Sequence, residues 1–281
     1  MVFCYNLTMN TEVKTFSYQF NCKNFYFHYT MEQARSLVPY HQHCHSNYEL
    51  YAFFEGEVEF IIENASYSLK PNTVLLIPPH KYHYAKISKL NSAYHRLTFL
   101  FNRSLIPQNL QDLFNNEIKF FSLPDNFKGI QELSLTLKEY SEKDGELFLS
   151  FFLCKLLLDL KYSSSALQPK ANITINRSVG NILAFINEHI YEPLNLESIA
   201  KALFLTPVYI SQIFSKEMHL SLMKYIKQKK LSLAHDLLRN GTKATNAALL
   251  LGFSDYSTFF RLYKKEFGHA PSAYPPDKTI T

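Results

Sequence analysis

His43, His45 and Glu49 stand in an H-x-H-x3-E arrangement, with Gly56 seven residues past the glutamate and Pro78 and His83 further on. Neutral imidazoles and one carboxylate form a donor set that suits a transition metal such as zinc, iron, manganese or nickel. The same groups can instead hydrogen-bond a polar organic ligand. A carboxylate buried among imidazoles needs some partner, because an unsatisfied buried charge is costly. In an extended strand His43 and His45 share one face and Cys44 takes the other.

A second set of candidate residues lies between 195 and 277. Leu196, Ile199, Ala200 and Leu203 recur at helical spacing, and a tight break follows at Phe204-Leu205. Thr206 then reads as an N-cap and Pro207 as a first-turn residue whose missing N–H costs nothing. The next helix turns Ile210, Ile213 and Phe214 inward and leaves Val208, Ser211, Gln212 and Ser215 outside. The plan repeats downstream. Thr242 caps a short helix from Lys243 to Leu250, and Gly252 takes the left-handed position after it. Ser254 caps a further helix with Phe259, Leu262 and Tyr263 inward and Tyr256, Ser257, Phe260, Arg261 and Lys264 outward. Two short helices, the second with a polar and basic face, make the shape that enters a DNA major groove. A longer helix, Leu222 to Leu238, joins the two units. Its Leu222, Ile226, Leu233 and Leu237 face the units, and Lys224, Lys227, Lys229 and Lys230 read as a solvated face.

The ordered string Pro193-Leu194, Ser198-Ile199-Ala200, Tyr209 to Phe214, Tyr225-Ile226, Ala234, Leu237-Leu238, Gly252 to Asp255, Phe259, Lys264-Lys265, Gly268 and Pro271 to Tyr274 resembles the DNA-binding domain of the AraC/XylS transcription regulators. His219 stands where that family usually has Gly, Lys230 where it has Arg, Ala244 and Ala247 where it prefers Ile, and Pro275 replaces a frequent Arg. The resemblance implies base contacts from Val208, Ser211, Gln212 and Ser215, and base or backbone contacts from Tyr256, Ser257 and Arg261. Gln suits the N6/N7 edge of adenine, Arg the O6/N7 edge of guanine, and Val a thymine methyl. Lys216, Lys243, Lys264 and Lys265 are expected on phosphates. The His43, His45, Glu49, Gly56, Pro78 and His83 pattern resembles the small cupin barrel that many such regulators carry as a sensor. Asn72 and His80 depart from its preferred glycines, and Ile87 from a frequent Asn.

The elements expected to carry these residues follow from composition and period. The chain has 281 residues, 47% hydrophobic and 15% aromatic, which excludes wholesale disorder and leaves room for two cores. Residues 169–281 carry a net charge of +6 and residues 1–168 a net −1, so the basic excess sits on the helical part, as a nucleic-acid partner requires. Cys4, Cys22, Cys44 and Cys154 show no paired spacing and read as reduced cytosolic thiols. The N-terminus lacks a signal-peptide pattern, and the apolar run Leu147 to Leu160 is too short to span a bilayer.

Aromatic and polar residues alternate through Phe16 to Phe20 and Phe25 to Tyr29, and strands are expected at Glu49–Phe54, Val58–Ile62, Ala65–Leu69, Thr73–Ile77 and His95–Phe101. Many short strands with regular turns argue a barrel or jelly roll. Residues from Asn126 to Tyr162 turn helical, with a break at Asp144-Gly145. The second helix is apolar nearly all round, which calls for two burial partners: the barrel and either a second subunit or more of its own chain. Ser163 to Asn172 reads as a polar linker.

The expected architecture is α+β and multidomain: a cupin-like barrel over 1–125, a helical dimerisation segment over 126–162, a linker over 163–174 and an all-α tandem helix-turn-helix domain over 175–281. The expected function is a cytoplasmic, non-enzymatic, sequence-specific transcription regulator. Its barrel senses a small molecule, by resemblance a sugar or related metabolite, through His43, His45, Glu49 and His83, with no cofactor. Its partners are double-stranded DNA, the effector, a second copy of the chain and RNA polymerase. Two alternatives stay open: a cupin-type metal-dependent enzyme fused to a DNA-binding domain, with the same four residues as metal ligands, and a ligand-independent architectural DNA binder.

Overall fold

The computed structural model describes residues 9–10, 13–22, 24–34, 42–63, 65–123, 130–162, 166–167 and 176–273. Cys4 and Pro275, and most of the expected linker, lie outside them. The chain divides into two compact units, the first strand-rich and covering 1–42, 47–61 and 66–172, the second mainly helical and covering 173–281 together with the short stretches His43–Ser46 and Ile62–Ala65.

The first unit carries β1 (Met9–Asn10), β2 (Val13–Lys14), β3 (Phe16–Asn21), β4 (Phe25–Gln33), β5 (Tyr48–Glu55), β6 (Val58–Ile62), β7 (Ala65–Ser68), β8 (Thr73–Ile77), β9 (His83–Ile87), β10 (Ala93–Phe101), β11 (Lys119–Ser122) and β12 (Ala166–Leu167). β12-β11-β8-β5-β10-β4-β3 form a seven-stranded sheet in that order, and β7-β6-β9 form a three-stranded one. Its pairings are antiparallel, with Phe99 opposite Phe27 on one side and Leu50 on the other. β12 pairs with β11, Phe120 opposite Leu167, so part of the expected linker is an edge strand instead. β9 was hidden because His83-Tyr84-Ala85-Lys86-Ile87 does not alternate.

Period two gives the large sheet two different faces. Phe25, Phe27, Tyr29, Leu50, Ala52, Val74, Leu76, Leu97, Phe99 and Phe101 line one face and pack on α1 (Ile130–Lys138) and α2 (Glu142–Tyr162). Leu149, Leu153, Leu156, Leu157 and Leu160 of α2 are fully buried there. The helical break falls at 139–141 rather than at Asp144-Gly145. Gly145 lies inside α2, where an added Cβ would sit 2.7 Å from the Phe20 ring, so glycine lets the helix settle on β3. Leu147 and Phe151 point away from this core, 58% and 68% exposed.

The second unit holds α3 (Arg177–Glu188), α4 (Leu196–Ala202), α5 (Pro207–Met218), α6 (Leu222–Arg239), α7 (Ala244–Leu250) and α8 (Tyr256–Phe267). Thr206 caps α5, its Oγ1 accepting from the Tyr209 N–H at 3.2 Å, with Pro207 in the first turn. α4 opens on a capping box between Asn195 and Ser198. Two expected caps are corrected. Lys243, not Thr242, is the cap residue of α7, and no side chain serves it. Asp255, not Ser254, caps α8, its carboxylate accepting from the Thr258 N–H at 2.7 Å. A charged acceptor satisfies the helix N-terminus and also its dipole.

Three departures from the resembled families share one explanation. Asn72, His80 and His219 stand where glycine is preferred, and their φ angles are 62°, 62° and 54°. The left-handed turns persist without glycine, at a cost of roughly 1–2 kcal/mol each.

Candidate nucleic-acid interface and effector site

α4 and α5 form one helix-turn-helix, with Phe204 in the left-handed region (φ 54°) at the break. α7 and α8 form the other, with Gly252 at φ 64° in the corresponding place. Buried Ile210, Phe214 and Met218 anchor α5, and buried Phe259 and Tyr263 anchor α8. The outward faces are therefore set by the inward ones. Val208, Ser211, Gln212, Ser215 and Lys216 on α5 are exposed, as are Tyr256, Ser257, Arg261, Lys264 and Lys265 on α8 and Lys243 at the start of α7. Every candidate DNA-contacting residue thus lies on an open surface, with donors, acceptors and one methyl-bearing side chain for base edges. Lys229 and Lys230 of α6 are buried, which corrects the expected solvated face; Lys224 and Lys227 remain exposed.

His43, His45, Glu49 and His83 are brought together, each offering a ligand atom within 4.8 Å of the others. The expected placement of both early histidines on one strand is corrected. They lie in the segment that enters β5, with ring centroids 5.5 Å apart, while Glu49 is on β5 and His83 opens β9. Glu49 and His83 are 2% and 1% exposed. His83 Nε2 lies 2.8 Å from Glu49 Oε2, and His83 Nδ1 lies 2.8 Å from the Lys81 carbonyl oxygen. Both ring nitrogens face oxygen acceptors, so a proton or a cation has to sit between the imidazole and the carboxylate.

These residues open onto a polar sheet face that the motif did not reveal. On the side of β4, β5 and β10 opposite the helices lie Tyr26, His28, Thr30 and Glu32, then Glu49 and Tyr51, then Tyr94, Arg96 and Thr98. The Phe60 ring of β6 packs over Tyr51 at 4.6 Å and over His83 at 6.0 Å. The Tyr51 and Tyr94 hydroxyls are 2.7 Å apart. Arg96 donates to Glu32 at 2.7 Å and lies 4.1 Å over the Tyr94 ring. Burial opposes the Arg96 charge, but Tyr94, Tyr51 and Glu32 more than offset it and keep the guanidinium protonated. His28, between Ser17 and Thr30 hydroxyls at 3.0 Å each, is drawn down to about 4 by burial and by Arg96, so it is neutral at pH 7. The available signal was that Tyr26, His28, Thr30 and Glu32 alternate with Phe25, Phe27, Tyr29 and Met31.

The helix-turn-helix domain family matches residues 199–275, and the AraC-like ligand binding domain family matches residues 32–150. Regulatory protein SoxS of Escherichia coli (strain K12) is 33% identical over 97 residues, 34% of this chain and 91% of SoxS. The chain belongs to the AraC/XylS family. It is a DNA-binding transcription regulator with a ligand-binding domain ahead of its helix-turn-helix domain. The HTH-type transcriptional activator RhaS of Escherichia coli (strain SE11) is 24% identical over 256 residues, 86% of this chain and 89% of RhaS. The structure of fatty-acid-bound ToxT from Vibrio cholerae matches with 14% identity, 90% coverage of this chain, 95% of ToxT and a TM-score of 0.40. One chain thus holds a strand-rich ligand-binding domain and a helical DNA-binding domain. No described helix is long and apolar enough to cross a membrane.

Proposed function

We propose that this regulator senses a small, uncharged, hydroxyl-bearing molecule, a sugar or related metabolite, on the polar barrel face. The observation that carries this reading is the set of paired polar groups on that face. Arg96 is matched by Glu32, the tyrosine hydroxyls of 51 and 94 pair with each other, and His28 is neutral. Such a lining offers many hydrogen bonds and little uncompensated charge, which suits hydroxyl groups better than an ion. Effector binding then changes which half-sites α5 and α8 occupy. The outward stripe of α2, with Leu147 and Phe151, is the surface we assign to a second copy of the chain. RNA polymerase completes the set of partners, and the regulator works in the cytoplasm without catalysing a reaction.

The test is a thermal-shift screen of the full chain against monosaccharides, sugar acids and polyols. A specific ligand at 100 times its Kd should add about 2.7 kcal/mol of stability. His45→Ala with Glu49→Gln, and separately Arg96→Gln, should abolish the shift and leave basal DNA binding intact. A shift that survives both changes would place the effector elsewhere.

A second reading, a transition metal held by His43, His45, Glu49 and His83, is favoured by the acceptor oxygens facing both nitrogens of His83. The three imidazoles and one carboxylate fit such an ion. Elemental analysis separates the readings. Near-stoichiometric metal, lost in the double variant, would replace the metal-free sensor and reopen the enzymatic alternative.

A further inference from the structure

Lys230 sits midway along α6, the helix shared by both helix-turn-helix units, and is 5% exposed. Its Nζ donates to the Glu192 carbonyl at 2.6 Å and to the Leu251 carbonyl at 2.7 Å. Glu192 belongs to the turn that leads into the first unit, where its N–H donates to the His189 carbonyl. Leu251 is the C-cap residue of α7 in the second. One ammonium therefore ties the turn ahead of the first unit to the helix end of the second. Its two acceptors are turn and helix-end carbonyls, groups that regular structure leaves unpaired. The Phe253 ring, just beyond α7, lies 6.0 Å from the same nitrogen. Gly252 closes the joint from the other side. A Cβ there would lie 2.7 Å from the Glu192 carbonyl carbon and 2.8 Å from the Pro193 nitrogen.

The joint matters because the second unit also has a core of its own. Leu231, Ala234, Leu238, Ala247, Ala248, Leu251, Phe259 and Tyr263 form one cluster around the later half of α6. Ile199, Ile210, Phe214, Leu222 and Ile226, of the first unit and the early half of α6, are buried outside that cluster. The carbonyl-to-lysine-to-carbonyl bridge and the Gly252 contact lie between the two groups.

We infer that Lys230 is a positioning residue that locks the two helix-turn-helix units in a single register, and so sets the spacing of the base pairs that one subunit reads. This rests on both units engaging DNA together. A rigid pair binds its second groove at high effective concentration only when the spacing is right. A loosened pair loses that gain and tolerates other spacings.

The experiment uses the full chain and three duplexes of about 40 base pairs, long enough for two successive grooves. One carries the site recovered by in vitro selection, one retains only its first sub-site, and one has about five base pairs, half a helical turn, inserted between sub-sites. Lys230→Met removes the bridge at similar length, and Lys230→Arg keeps a donor. Lys230→Met should lose about 10- to 100-fold on the full site, hold its affinity for the single sub-site, and show a smaller insertion penalty than the wild type. Lys230→Arg should restore the wild-type profile. If circular dichroism finds Lys230→Met unfolded, Gly252→Ala carries the test, since it wedges the same joint and should flatten spacing dependence in the same way. Equal losses by the folded variant on full and single sites, or an insertion penalty identical to the wild type, would overturn the inference. A wild type with no spacing dependence would instead remove the two-groove reading beneath it.

Discussion

Replacing His83 by Leu removes one partner of a pair that water hardly reaches, Glu49 and His83 being 2% and 1% exposed with 2.8 Å between Oε2 and Nε2. Breaking a buried pair leaves its other charge poorly solvated, which costs about 3–5 kcal/mol. His43 and His45 stay within 4.8 Å of the carboxylate and supply part of what is lost, so the expected cost is near 3 kcal/mol. Replacing both members, His83→Leu with Glu49→Leu, removes the stranded charge too. Such double replacements are often neutral or stabilising, so the double variant should be about 2 kcal/mol more stable than the single one. The assay is urea unfolding of the metal-free full chain followed by circular dichroism, with all four proteins of the cycle compared. A single variant within about 1 kcal/mol of wild type would show that no buried charge is stranded, and a double variant less stable than both singles would show the same. Either result would mean that the pair carries little charge and that the polar barrel face is structural lining.

Gln212→Ala and Arg261→Ala should each weaken specific DNA binding by about 1–3 kcal/mol and relax preference at one base position, read by electrophoretic titration on specific and random duplexes. Equal losses on both duplexes would rule out base reading by these residues. Phe151→Glu, on the exposed stripe of α2, should shift the chain from dimer to monomer in sedimentation, whereas Leu158, partly buried against the barrel core, should tolerate Glu poorly for reasons of folding. A folded Phe151→Glu protein that stays dimeric would clear that stripe. His235 is drawn down to about 4 by burial, with help from Arg239, and is 2.8 Å from the Tyr263 hydroxyl in the core of the second helix-turn-helix unit. A depressed histidine pKa means that the neutral form is favoured by folding. Its contribution is complete above the unfolded value near 6.5 and is lost as pH falls from there through about 4, with a slope of at most ~1.4 kcal/mol per unit from this site. His235→Gln should flatten that part of the acid-unfolding curve, and an unchanged curve would assign the loss to other groups.

How much was legible in the chain depended on whether a local rule governed it. Thr206-Pro207 and the Phe204 break are local signals, and α5 begins and turns where they place it. Val58–Ile62 and Thr73–Ile77 are strands at their expected bounds because turn residues flank them on both sides. Gly145 misled because a glycine in a helix usually marks a break, whereas here its missing side chain admits the Phe20 ring. Lys230 misled because helical periodicity places a lysine outside unless a partner is known, and its partners are carbonyls 38 and 21 residues away in sequence. The four motif residues of the barrel came from the resemblance to the cupin pattern, to which Arg96, Glu32, Tyr51 and Tyr94 do not belong. Their pairing is set by strand register, Tyr94 opposite Glu32 and Thr98 opposite Tyr51, and register is a long-range property that no short pattern records.

Under the proposed function one subunit reads DNA through both α5 and α8. Hydroxyl-radical and methylation footprinting of the full chain on its selected site is the decisive check. Protection is expected on one face of the duplex in two successive major grooves, about 34 Å apart, with the second protection weakened by Arg261→Ala and the first by Gln212→Ala. Protection confined to a single groove, or protection that follows no sequence, would contradict it.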